Sequence, residues 1–361
     1  MPPRRRRAPF PRLLAPLALA VLAGCAATAP VPEAAPPSAP GHLRIEGKVS
    51  LGGVGAEGAQ VLLFAPHFHL APEGRPQARV TSGPDGAFRL EAPPGSYLLL
   101  ARRGELFSYF GRNPVRLAGP LTGVHLPLVP THAVKRTACG PGGERLEGRV
   151  LDGGEPVAGA QVFVYLDAAK GFRGPGYALS EPTGRDGAYA VPLPPGTYFA
   201  GARLRAGGPK TGTLEPGDRF GVLPEFPLLL REGECVRADI ETVEVPGRDQ
   251  QSRFQGRFAR LEGRILDADG RPVPGVRACL YETPHLLDRP AVVSEPTGPD
   301  GRFVLETPLS GLLYLGAREA LGAPPVPGER VGFYRGPRGP ALEVVPGGRL
   351  GDLTVVLQVT P

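Results

Sequence analysis

Apolar and polar side chains alternate over short stretches from residue 42 to residue 361, and the stretches recur in three sets. The first opens with Leu43-Arg44-Ile45-Glu46-Gly47-Lys48-Val49, the second with Arg145-Leu146-Glu147-Gly148-Arg149-Val150, the third with Arg260-Leu261-Glu262-Gly263-Arg264-Ile265. A period of two puts one row of side chains toward a core and the other toward water, so each is predicted to be a first strand. A turn follows, Pro156-Val157-Ala158-Gly159-Ala160 and Pro272-Val273-Pro274-Gly275-Val276 in the later sets and a glycine-rich run from Gly52 to Gly58 in the first. Second strands are predicted at Val61 to Phe64, Val162 to Tyr165 and Ala278 to Tyr281. Then come Asp85-Gly86, Asp186-Gly187 and Asp300-Gly301, which tolerate positive φ and suit tight hairpins. The distance from first-strand glycine to turn aspartate is 38, 38 and 37 residues, so one fold is repeated.

Each set continues through Phe88, Tyr189 or Phe303 to Pro94-Gly95-Ser96-Tyr97, Pro195-Gly196-Thr197-Tyr198 or Ser310-Gly311-Leu312-Leu313-Tyr314. Each closes with an alternating segment, Gly123 to Val129, Val236 to Val245 or Leu350 to Val359. About seven short strands in roughly 100 residues are the dimensions of a sandwich. The predicted fold is all-β: three tandem seven-stranded Ig-like β-sandwiches over residues 42–138, 139–246 and 259–361, with a polar linker at 247–258. The series Gly-x-Val, Pro-Val-x-Gly-Ala, Asp-Gly-x-Tyr and Pro-Gly-x-Tyr resembles the carboxypeptidase regulatory-like domain family. The resemblance implies a transthyretin-like or starch-binding-like sandwich and a non-catalytic accessory role, often linked with adhesion or carbohydrate binding.

Residues 1–24 have the form of an export signal, with Arg4 to Arg7 and Arg12 ahead of an apolar run too short to span a bilayer. Leu22-Ala23-Gly24-Cys25 resembles a bacterial lipobox, which implies lipidation of Cys25 and a stable anchor of several acyl chains. Residues 25–41, rich in Ala and Pro, form a disordered tether reaching about 50 Å at about 3.1 Å per residue. The expected location is an outer-membrane lipoprotein on the periplasmic or cell-surface face. The net charge of +6 changes meaning once the leader is set aside. Of 41 Lys and Arg, five lie in residues 1–24, leaving 36 against 35 acidic side chains. No concentration of positive charge remains for a phosphate backbone, so nucleic acid is not an expected partner.

Candidate chemistry is thin, and neither an enzyme, a cofactor nor a metal site is expected. Cys139 precedes the first strand of the second set and Cys235 begins its last, so a disulfide and two separate thiols both stay open. Cys279 falls in a second strand and is expected to be a small core side chain. His67, His69 and Glu73 lack a further ligand at sensible spacing. Asp267-Ala268-Asp269-Gly270 opens like a calcium loop without the downstream glutamate, and is read as a turn. Ser180 and Ser294, in repeated Ser-Glu-Pro-Thr-Gly segments, have no recurring histidine and are assigned to structure. Lys48 raises an isopeptide bond, but Arg149 and Arg264 replace it in the other sets and cannot supply the amine.

The most functional-looking segments are predicted loops before the last strands, Gly104 to Pro114, Gly207 to Pro227 and Gly322 to Pro340. They carry Phe107, Tyr109, Phe110 and Arg112, then Arg219 and Phe220, then Phe333, Tyr334 and Arg335. Aromatic faces and arginine forks suit ligand contact, and they equally suit packing of one domain on the next. The expected function is a lipid-anchored binding or spacer module of the cell envelope, with a polysaccharide or envelope protein as partner. The alternative is a structural or assembly subunit of an outer-membrane complex.

Overall fold

The computed structural model describes residues 41–66, 75–169, 171–172, 174, 176–207, 214–247, 258–285, 290–321 and 325–360. The leader, Cys25, nearly all of the tether, the loop with His67, His69 and Glu73, and most of the 247–258 linker lie outside them. Within them every element is a strand.

The first sandwich holds β1 (Leu43–Leu51), β2 (Val54–Gly55), β3 (Gln60–Phe64), β4 (Ala78–Thr81), β5 (Ala87–Ala92), β6 (Gly95–Arg103), β7 (Leu106–Tyr109), β8 (Val115–Leu117) and β9 (Leu121–Pro130). The second holds β10 (Lys135–Ala138), β11 (Arg145–Asp152), β12 (Glu155–Pro156), β13 (Gln161–Tyr165), β14 (Ala178–Leu179), β15 (Ala188–Pro192), β16 (Gly196–Leu204), β17 (Arg219–Val222), β18 (Leu228–Leu230), β19 (Glu234–Arg237), β20 (Ile240–Glu241) and β21 (Val243–Glu244). The third holds β22 (Ala259–Leu266), β23 (Arg277–Tyr281), β24 (Val292–Val293), β25 (Arg302–Thr307), β26 (Gly311–Arg318), β27 (Arg330–Tyr334), β28 (Ala341–Val344) and β29 (Arg349–Val359). Eight positions recur in all three, one more than the expected seven. The remaining strands are short extra rungs, and the closing strand of the second sandwich is divided into β19, β20 and β21.

Each closing strand serves both layers. β9 runs parallel to β1, then its end pairs antiparallel with β7 through Phe107 and Val129. β29 does the same with β22 and β27, and in the second sandwich β19 and β20 follow β11 while β21 joins β17. The repeated first-strand glycine makes that crossing fit. A Cβ at Gly47, Gly148 or Gly263 would lie 2.1, 1.9 or 1.9 Å from the carbonyl oxygen of Val124, Ala238 or Leu353 on the closing strand. A side chain there would force the parallel pair apart.

The predicted hairpins form as the Asp-Gly signal requires. Asp85, Asp186 and Asp300 each accept the backbone N–H two residues on, at 3.0 to 3.1 Å. Tyr97 and Tyr198 donate to the carbonyls of Pro93 and Pro194 at 2.9 and 2.7 Å, closing their turns. In the third sandwich the core position of that tyrosine belongs to Leu313, paired with Leu342, so Tyr314 points to the other face of the sheet.

Three separate cores fill the sandwiches, centred on Ile45, Val61 and Leu126, on Leu146, Val162 and Val236, and on Leu261, Leu280 and Val355. A fourth apolar cluster lies outside all of them, and it is the feature the period-two pattern did not predict.

Candidate functional site

The fourth cluster joins the outer faces of two sheets. β3, β6 and β7 of the first sandwich contribute Phe64, Leu98, Leu100 and Phe107; β13, β16 and β17 of the second contribute Phe163, Tyr165, Phe199, Phe220 and Val222. Strands that serve both an inner core and this seam cannot alternate. Tyr97-Leu98-Leu99-Leu100-Ala101 is buried at all five positions, as is Val162-Phe163-Val164-Tyr165 at all four. Such continuous apolar runs mark strands covered on both sides, and they were the signal in the sequence for this interface.

Phe172, at φ 56°, is set into the seam from the loop after β13. Its ring meets Tyr109 at 5.3 Å and 75° and Tyr165 at 5.3 Å and 82°, both edge-to-face, while Phe199 meets Phe226 at 4.7 Å and 73°. Such pairs add about 0.5–1.5 kcal/mol each beyond the area they bury. The two backbones close in tightly around Phe172, since a Cβ on Gly171 would lie 1.8 Å from the carbonyl oxygen of Asn113. At the rim, Glu241 accepts from the ring Nε2 of His132, in the segment joining the two sandwiches, at 3.1 Å and from the N–H of Gly154 at 3.0 Å. A cavity of about 30 Å³ beside Ser108, Tyr109 and Glu241 has room for about one water and for no sugar or peptide group.

This geometry gives most of the aromatic segments the packing role, one of the two that the sequence left open. The segments around Phe107, Phe220 and Phe333 contain the strands β7, β17 and β27, so their side chains alternate between faces. Phe107 and Phe220 are buried in the seam, and Tyr109 is packed against it. Phe110 turns inward to the first core, and Tyr334 packs on the third. Arg112 is paired with Glu282 of the third sandwich, and Arg219 lies between Asp152 and Glu244. Phe333 is half-buried against Cys279 and Tyr281, and Arg335 alone of the named residues is exposed. Removing water from two matched apolar faces is worth more than leaving them open for a ligand, and that places the rings inside.

The remaining candidates resolve individually. Cys139 and Cys235 are bonded in a disulfide with Cα atoms 5.6 Å apart, fastening β10 to β19. Cys279 is buried, but on the outer face of its sheet beside Tyr281, and burial pushes its thiol up to about 11. Ser180 accepts from Val162 N–H at 2.8 Å and donates to Glu181 carbonyl at 2.8 Å; Ser294 makes the same pair of bonds with Ala278 and Glu295 at 2.9 and 2.7 Å. Both hydroxyls are committed to backbone partners. Asp267 accepts from the N–H groups of Asp269 and Arg271 at 2.9 and 2.8 Å, a side-chain turn. Lys48 Nζ lies 3.2 Å from Asp85 on the hairpin turn, not beside a closing-strand carboxyl.

A serine–histidine contact escaped the sequence reading because its members are 75 residues apart. Ser50 Oγ lies 2.7 Å from His125 Nε2, where β1 and β9 run side by side. Ser50 is buried, and burial lowers the imidazole to about 4. The ring is neutral at neutral pH, and its serine partner is enclosed between the two strands.

No family model matches the chain. No curated protein matches it either. Among solved structures it is similar to the Bacillus anthracis TIE protein, at 14% identity over 88% of this chain and 50% of that one, with a TM-score of 0.19. The chain thus spans half the length of that protein. It is similar also to a streptococcal ancillary pilin, at 12% identity over 89% and 99% of the two chains with a TM-score of 0.23. The major pilin subunit BcpA of Bacillus cereus gives 10% identity over 89% and 99%, with a TM-score of 0.19. The fold stands on the strand pairings themselves, and no role is taken from these likenesses.

Proposed function

We propose that the protein is a non-catalytic spacer and interaction module of the cell envelope, held to a membrane through lipid on Cys25, with its first two sandwiches acting as one rigid unit. The observation that carries this reading is the seam. The rings best suited to hold a ligand, Phe107, Tyr109 and Phe220, are used with Phe172 and Phe199 to join two domains. A flexible string of binding domains has no need for such a joint, whereas a spacer that must hold its length does. The polar hydroxyls that sequence alone offers as nucleophiles support the non-catalytic part, because they are committed to backbone partners.

Calorimetry of the mature protein tests the rigid unit. The first two sandwiches are expected to unfold in one transition, and Phe199→Ala to split it into two. Three independent transitions in the wild type would refute the reading. Metabolic labelling with a fatty acid, repeated on Cys25→Ala, tests the anchor; unlabelled wild-type protein would overturn it.

A further inference from the structure

The third sandwich touches the first through polar side chains. Arg112 Nη2 donates to Glu282 Oε1, with both side chains partly exposed, and Thr122 Oγ1 lies 3.0 Å from Ser310 Oγ. The backbones approach there as well, since a Cβ on Gly311 would lie 3.7 Å from the carbonyl oxygen of Pro120. Arg112 Cζ stands 5.7 Å from the ring centroid of Phe110, which is buried in the first core, so the charge is positioned before it meets its partner.

These four residues are where the copies diverge. Val115 pairs with Tyr97 and Leu228 with Tyr198, so three residues earlier the place of Arg112 belongs to Glu225 in the second sandwich. Tyr165 pairs with Phe199 and Tyr281 with Tyr314, so the place of Glu282 belongs there to Leu166. By the same registers Ser310 stands where the earlier copies have Pro94 and Pro195, which lack a hydroxyl, and Thr122 stands where the second has Arg237. Glu282 brought to the second sandwich would meet Glu225, a like charge, so the contact selects the first sandwich by attraction and rejects the second by repulsion.

The two joints of the first sandwich differ in kind. Among the described residues one apolar cluster includes side chains of both the first and second sandwiches, and none includes side chains of both the first and third. Removal of apolar surface from water holds at any salt, whereas a partly exposed ion pair is weak and is screened. The geometry points to a releasable dock: the surface at Arg112, Pro120 and Thr122 receives the third sandwich of the same chain, which separates as ionic strength rises while the first two sandwiches stay joined. The module then has a compact docked form and a more extended open one. The dock goes beyond the spacer reading and uses neither Cys25 nor the apolar seam, so either can fail without the other.

The test is small-angle X-ray scattering from the full mature chain. Wild type is expected to be compact at about 0.05 M NaCl and to gain in maximum dimension at about 1 M, where the screening length is about 3 Å. At the lower salt Arg112→Glu is expected to lower the ratio of docked to open molecules about fivefold or more. The exchanged pair Arg112→Glu with Glu282→Arg is expected to restore the wild-type profile. Identical wild-type profiles at the two salts would overturn the dock, independently of how any variant folds. So would a folded Arg112→Glu protein that scatters as wild type, or an exchanged pair that stays open. A doubled mass at the lower salt would place the contact between two chains and overturn the dock within one.

Discussion

In the second sandwich the outer face of β13, β16 and β17 carries Phe163, Tyr165, Phe199 and Val222; at the same registers in the third, β23, β26 and β27 carry Cys279, Tyr281, Tyr314 and Phe333. The first set is sealed by a neighbouring sandwich, while in the third set Tyr314 and Phe333 stay half-buried. The inner cores of the two are alike in kind. The difference teaches that the inner row of each strand makes the fold and the outer row decides what the fold is joined to. Charge follows the same contrast: Arg318 is paired with Glu329 inside the third sandwich, whereas Arg102 reaches the carbonyl of Pro224 across the seam.

Substitutions on the two sides test this contrast. Replacing Cys139 and Cys235 with serine opens a closure of 96 residues, and chain entropy puts the loss at about 4.7 kcal/mol for a loop near 100 residues. Urea unfolding should show it in the transition shared by the first two sandwiches and leave the third in place. Glu329→Gln leaves the Arg318 guanidinium buried beside an uncharged amide, with an expected cost of about 3–5 kcal/mol confined to the third sandwich. Phe199→Ala empties a fully buried site in the seam and should cost about 3–5 kcal/mol. Phe333→Ala, from a half-buried site, should cost under about 1.5 kcal/mol in the same unfolding assay. Equal losses for the two phenylalanines would erase the distinction between the faces.

Acid supplies the mildest probe. His125 has its folded pKa lowered to about 4 by burial, against an ordinary 6.5, so between those values the unfolded chain binds more protons than the folded one. Stability of the first sandwich is therefore complete above pH about 6.5 and declines as pH falls toward about 4, with a slope of at most about 1.4 kcal/mol per pH unit. His125→Gln should flatten that slope. The third sandwich, with Thr354 at the matching register, should not share it.

Much of the fold was legible because its signals are local. Asp85-Gly86 and its two counterparts mark hairpins through their own side chains and φ preferences, and the repeated spacing announces three copies. The candidate site was legible only in part. Phe107, Tyr109 and Phe220 stand out by composition, yet nothing local says whether an aromatic face meets a ligand or another sheet. Arg318 finds its carboxylate on Glu329, 11 residues away. The Ser50–His125 contact depends on two strands meeting across most of a domain.

The strand pattern, the turns, the repeat in three copies and the near-neutral charge of residues 25–361 are written locally in the sequence, since alternation, glycine conformation and side-chain ionisation act within a few residues. Tertiary packing alone sets which face of each sheet is covered, that Cys139 meets Cys235, and that Arg318 finds Glu329. Those depend on surfaces far apart in the chain losing water together, and that pairing is written in no single stretch of residues.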